Sequence, residues 1–170
     1  WPPADARVLV LYGGESARKF GTLDAVRQAL GSRDVAEFGG IEPNPEYETC
    51  LAAIDLARAE GVDFVLAIGG GSVADAAKFI ARAHAYAGDD PWDLLSGAPA
   101  PATVLPVGCI QTLSATGSEM NNAFVLSRRA LRQKLSYSAI SLYPRPRVGR
   151  HVRPCARTVR YLSGSGPVAG

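Results

Sequence analysis

Two periodicities take turns along the first two thirds of the chain. Short, unbroken apolar runs recur, each followed by a stretch whose apolar residues return every three or four positions. Arg7–Tyr12 (RVLVLY) is such a run and ends in Gly13-Gly14. From Ser16 to Leu30, Phe20, Leu23, Val26 and Leu30 fall on one helical face, and Gly31 follows as a stop. Val35–Phe38 reads as a second strand. Glu46–Glu60 reads as a second helix, with Tyr47, Leu51, Ile54 and Ala57 on one side. Asp63–Ile68 (DFVLAI) is a third strand, continuous rather than alternating, as expected of a sheet covered on both faces. Ser72–Tyr86 is a third helix, PWDLLSGAPAPA a loop, and Thr103–Val107 a fourth strand. The order β-α-β-α-β-α-β predicts an α/β fold, a parallel sheet flanked by helices, with right-handed crossovers.

Ligands on such sheets bind beyond the carboxyl ends of the strands. Both glycine clusters, Gly13-Gly14 and Gly69–Gly71, are predicted to lie there. A helix N-terminus offers unpaired N–H groups and a partial positive charge, and glycine lets a phosphate approach them. Ser72 could cap the helix or bond a phosphate oxygen, and Asp75 lies in the first turn. GGGS by itself fits a plain strand-to-helix turn equally well, because it is neither a GK[ST] loop nor a GxGxxG fingerprint. The stretch Thr112–Asn121 (TLSATGSEMN) follows the fourth strand at the same sheet edge and adds small hydroxyl side chains.

Composition narrows the class. At 170 residues, 47% hydrophobic and 20% charged, the chain is long enough for one packed core. No apolar run reaches membrane-spanning length, so no membrane partner is expected. WPPADARVLV lacks the features of a signal peptide. Three widely spaced cysteines (50, 109, 155) make neither a disulfide framework nor a metal knot, which predicts a cytoplasmic location. The net charge of +2 conceals an asymmetry: residues 144–170 hold six arginines and no acid, leaving a net of −4 on residues 1–143. That tail has no apolar periodicity and is predicted to be disordered. A nucleic-acid partner for it is weighed against a blander origin, an out-of-frame translation of GC-rich DNA, which is preferred.

The motifs YGGESARKFG, EFGGIEPNPEYE, AIGGGSVADAAKFIA, DPWDLL and TLSATGSEMN occur in the order and spacing of one family. Over about residues 5–143 the chain resembles the iron-containing alcohol dehydrogenases, nearest to the butanol dehydrogenase and broad-range aldehyde reductase branch. The resemblance implies a Rossmann-like domain over residues 1–143 that binds NADP or NAD. In the full-length family a helical domain then follows, whose Asp and His ligands hold Fe²⁺ or Zn²⁺. It implies hydride transfer between the cofactor and a small alcohol or aldehyde. By motif position, Gly70, Gly71 and Ser72 would hold the pyrophosphate, with Asp75 on the nicotinamide side. Thr112, Thr116 and Ser118 would line the cofactor, and Lys134 would reach the nicotinamide ribose. Gly13, Gly14, Glu15 and Ser16 would surround the adenosine 2′ position.

Three departures qualify the resemblance. Glu15 stands where this branch has a third glycine, and a carboxylate there opposes a 2′-phosphate while suiting a 2′-hydroxyl. Ser114 replaces a proline. After SAISLYPR the sequence leaves the family pattern, and its two histidines, His84 and His151, have no ligand spacing. The chain is therefore expected to be a cofactor-binding fragment, incomplete at its N-terminus, without metal ligands and inactive alone. A homo-oligomer is compatible with the apolar surface such a fragment would expose. The alternatives are a non-catalytic dinucleotide-binding module and an enzyme of the glycerol dehydrogenase or dehydroquinate synthase type.

Overall fold

The computed structural model describes residues 2–112, 116–145 and 160–161, with only the backbone of Ser16, Arg160 and Tyr161. Four strands run parallel: β1 (Val8–Tyr12), β2 (Val35–Phe38), β3 (Phe64–Gly69) and β4 (Val107–Gln111). Their order across the sheet is β2-β1-β3-β4. Two short helices, α1 (Ser16–Lys19) and α2 (Thr22–Leu30), connect β1 to β2. Helix α3 (Tyr47–Ala59) leads from β2 to β3, and α4 (Gly71–Ala83) from β3 towards β4.

Burial explains the unbroken apolar runs. On β3, Val65 and Ala67 join the core beneath α3 and α4, whereas Phe64, Leu66 and Ile68 join the core beneath α2. Side chains alternate across a strand, so a strand covered on both faces has no polar positions to spare. β3 lies between β1 and β4 and is buried along Phe64–Ile68. The predicted central strand is thus observed.

Three element boundaries differ from the sequence reading. The helix expected over 16–30 is broken at Gly21, whose φ of 70° is left-handed, and Phe20 is left 59% exposed rather than packed. The fourth strand is Val107–Gln111 rather than 103–107. Pro106 has no N–H to give the ladder, although its carbonyl accepts from Val65 N. Gly108 lies inside the strand, where a Cβ would come within 3.1 Å of the Phe64 ring. Helix α4 ends at Ala83, three residues early.

The sequence reading assigned no strand or helix to residues 123–138, which form an antiparallel hairpin of β5 (Ala123–Arg128) and β6 (Gln133–Ser138). The hairpin buries Phe124 and Leu126 in the core that also holds Phe79 and Ile80 of α4. Beyond it, Pro144 is buried and Arg145 N donates to Val107 O at 2.7 Å. From the basic tail, Arg160–Tyr161 forms β7, antiparallel to β4. The expectation of disorder elsewhere in the tail lies outside the described residues.

Polar anchors hold the hairpin at two places. At one, the fully buried Lys78 of α4 donates to Ser118 Oγ (2.9 Å), Asn121 Oδ1 (2.9 Å) and Ala123 O (2.5 Å). One turn earlier, Asp75 accepts from the Ser118 hydroxyl and from Val125 N (3.1 Å). At the other, Asp90 accepts from the Tyr47 hydroxyl, Trp92 N and Arg128 (2.7 Å), and the Arg128 guanidinium lies 4.4 Å from the Tyr47 ring centre. Burial opposes ionisation of Asp90, but the three hydrogen bonds outweigh it and hold the carboxyl below its usual range.

Two predictions follow from these anchors. Lys78→Met removes the donor from three acceptors and should cost about 2–4 kcal/mol in urea unfolding, the range for breaking a buried charged network. A loss below about 1 kcal/mol would show that the anchor is dispensable. Asp90→Asn should cost about 1 kcal/mol near neutral pH. A depressed carboxyl stabilises the fold above the unfolded value of about 4 and loses that contribution as pH falls through its folded value. The gap between wild type and Asp90→Asn should therefore narrow below about pH 4. A gap that does not change with pH would refute the linkage.

Candidate cofactor site

The strand order places a switch point between β1 and β3. From β1 the chain moves outward to β2, then crosses back to add β3 and β4 on the other side. Connections leave β1 and β3 in opposite directions, which opens a crevice at their carboxyl ends. Gly13-Gly14 follows β1, and Gly69–Gly71 spans the end of β3 and the start of α4. Backbone bonds join the neighbouring loops: Gly40 N donates to Gly13 O (3.0 Å), Ile41 N to Tyr12 O (3.2 Å) and Thr112 N to Gly69 O (2.9 Å).

Each glycine has its own surroundings. A Cβ on Gly69 would meet Val73 at 2.6 Å, and one on Gly71 would meet Thr116 Oγ1 at 2.1 Å. These two glycines let the chain and the β4 loop close on the start of α4. Gly70 and Gly14 differ, since a Cβ on either would meet nothing within 4 Å. Gly70 is the N-cap of α4 and supplies no side-chain cap. The first bond within the helix runs from Val73 N to Gly70 O (3.1 Å), which leaves the Gly71 and Ser72 amides ahead of it. Open space at Gly70, two leading amides and the positive end of a 13-residue helix fit an anionic group.

Ser72 is not the cap that the sequence allowed. It lies within the first turn, and its Oγ accepts from Asn44 N at 3.3 Å. Asn44 in turn accepts from Lys134 Nζ at 2.6 Å through its Oδ1. Ser72 and Lys134, 62 positions apart in the sequence, are thus joined through one residue that the sequence reading passed over. The available signal was the Pro43-Asn44-Pro45 sequence, because asparagine tolerates the left-handed backbone that Asn44 adopts (φ 60°).

The remaining positions divide into two groups. Ser118 is buried between Asp75 and Lys78, and Asp75 spends a bond from each carboxylate oxygen on the β4 loop and hairpin. Burial raises the Asp75 carboxyl above its usual range, against the pull of Ser118, Val125 N and Lys78. Burial likewise lowers Lys78, with Asp75 opposing. These residues hold the site's walls in place. Thr112 is half-buried at the end of β4, whereas Thr116 and Glu15 are exposed. Arg18, in α1, donates to the Tyr12 hydroxyl at 2.5 Å beside the β1 turn. The Ser16 side chain and residues 113–115 lie outside the described residues.

Among the described residues, no group of three or more His, Cys, Asp or Glu side chains could hold a metal ion. His84 follows α4, where burial and the Arg58 charge lower its affinity for a proton. The Cys109 thiol is pushed up to about 12 by burial. His151 lies outside the described residues. No described helix is long and apolar enough to cross a membrane.

Known proteins share this architecture. Residues 2–147 match the family of iron-containing alcohol dehydrogenases. The NADPH-dependent aldehyde reductase YqhD of Escherichia coli K12 is 49% identical over 144 residues, covering 84% of this chain and 37% of that protein. NADH-dependent butanol dehydrogenase A of Clostridium acetobutylicum is 40% identical over 142 residues, covering 82% and 36%. A crystal structure of Escherichia coli YqhD matches with a TM-score of 0.80 at 49% identity, over 84% of this chain and 37% of that one. The crystal structure of NADH-dependent butanol dehydrogenase A from Thermotoga maritima matches at 0.77 and 39% identity, over 82% and 35%. The chain therefore spans little more than a third of the length of these relatives. Its parallel sheet, the glycine turns at the switch point and the match over residues 2–147 place it in the iron-containing alcohol dehydrogenase family.

Proposed function

We propose that this chain is the dinucleotide-binding part of an NAD(P)-dependent oxidoreductase acting on a small alcohol or aldehyde. The observation that carries the reading is the start of α4. There, among the described residues, a Cβ on Gly70 would meet nothing within 4 Å and the Gly71 and Ser72 amides precede the first bond of the helix, at the switch point of the sheet. The pyrophosphate of a dinucleotide has the charge and the shape for that place. Similarity to an NADPH-dependent aldehyde reductase and to NADH-dependent butanol dehydrogenases supports the reaction class. When bound, the cofactor would supply the hydride. This chain's residues would bind and orient it: Gly70, Gly71 and Ser72 at the pyrophosphate, Lys134 towards the nicotinamide ribose, and Gly13–Ser16 around the adenosine ribose. The described residues bring no three His, Cys, Asp or Glu side chains together as a metal site.

Gly70→Val is the cleanest probe of this reading. The backbone at Gly70 (φ −93°, ψ −168°) is extended and accepts a branched side chain, and the added atoms would enter open space. Calorimetric titration of the 170-residue chain with NADPH should show binding weakened at least about tenfold, as expected when a pyrophosphate loses its backbone donors. The melting temperature should remain close to wild type. Unchanged affinity would remove the pyrophosphate from this turn. Glu15→Gly tests the choice of cofactor. Removing an exposed carboxylate from the 2′ position should raise the NADPH-to-NADH affinity ratio by about two- to fivefold, the size of a surface charge pair. A ratio that does not move would place Glu15 away from the adenosine ribose.

A further inference from the structure

Helix α4 brings two cationic side chains into the core, and they are satisfied very differently. Lys78 is fully buried, reaches three oxygen acceptors and has the opposing charge of Asp75 nearby. Arg82, one turn later, is only 2% exposed. Its guanidinium carbon lies 4.3 Å from the centre of the Tyr137 ring on β6. Among the described residues no carboxylate lies within ion-pair distance of it, and its Nε is enclosed without a hydrogen-bond partner. The flanking Ala81 and Ala83 are fully buried, and Leu105 N bonds Ala81 O at 3.1 Å, so the segment before β4 runs along this end of the helix.

We propose that Arg82 is the centre of a binding site for one small monovalent anion, of chloride size, between α4 and β6. A guanidinium has five N–H donors and no acceptor. The face of the Tyr137 ring attracts its charge but does not replace the hydrogen bonds it loses on leaving water. A buried charge is tolerated when it is both paired and hydrogen-bonded, and an anion against the guanidinium edge supplies both. The surroundings select the kind of anion. Ring contacts run from Phe79 through Phe124 to Tyr137, so the neighbouring core is aromatic. A dianion such as sulfate would lose more hydration there than one guanidinium returns. A halide carries the single charge required and needs little room. The inference stands apart from the dinucleotide reading, which uses neither Arg82 nor Tyr137.

The test is urea unfolding of the 170-residue chain at rising sodium chloride, with sodium gluconate keeping the ionic strength constant. Wild type should gain stability along a saturating curve. A site half-filled at about 30 mM lowers the unfolding constant about tenfold at about 0.3 M chloride. Arg82→Met keeps most of the volume and removes the charge. It should not respond when chloride replaces gluconate. In gluconate alone it should be at least as stable as wild type, because an unpaired buried charge has gone. Arg82→Gln, polar but uncharged, is a second variant that should also lose the response. Excess broadening of the chloride NMR signal by folded wild type, relieved in both variants, is the direct reading of binding. A wild type that does not respond, as when water alone fills the site, would overturn the inference. So would a chloride response that persists in either variant.

Discussion

Lys78 carries a charge into the core, and much of the site's geometry hangs on how that charge is satisfied. A buried ammonium is costly unless every donor is used. Here its three donors reach a loop hydroxyl, a loop amide and a strand carbonyl, which cannot all be supplied unless the β4 loop and the hairpin sit on α4. Asp75, one turn earlier, completes the arrangement by taking Ser118 and Val125 N. The penalty for burying Lys78 in any other packing is what makes this one specific.

The consequences reach the opposite end of the hairpin. Because β5 is fixed against α4, Ser127 meets Pro45, and Lys134 arrives beside Asn44. The Asp90 cluster secures the far side by tying Arg128 to Tyr47 and to the turn at Trp92. The hairpin thus carries Lys134 from outside the sheet to the loop before α3. That loop bonds both Ser72 of α4 and Lys134 of the hairpin.

Local pattern was enough for β1, β3 and the turns that follow them. Unbroken apolar runs in β1 and β3 reflect cores on both sides of each strand, and that requirement is written residue by residue. The glycines at positions 13–14 and 69–71 were legible for the same reason, since a strand that ends in glycine before a helix needs close backbone approach. Boundaries were less legible where a glycine had two uses. Gly108 is inside a strand because Phe64 and Leu66 crowd it from the next strand, and Gly21 breaks a helix that periodicity alone would continue.

The sequence by itself determined the class of fold and the glycine turns at the carboxyl edge of the sheet, because each follows from residues adjacent in the chain. Tertiary structure decided which of the candidate polar side chains bond other parts of the protein. Ser118 and Asp75 were both candidates for cofactor contact, yet their bonds run to α4, the loop and the hairpin. Asn44 was marked in the sequence only as a turn residue between two prolines, yet it joins Ser72 to Lys134. The reason is physical. A hydrogen bond is decided by distance and direction between groups that only packing brings together, and those packed here are separated by 28 to 90 positions along the chain.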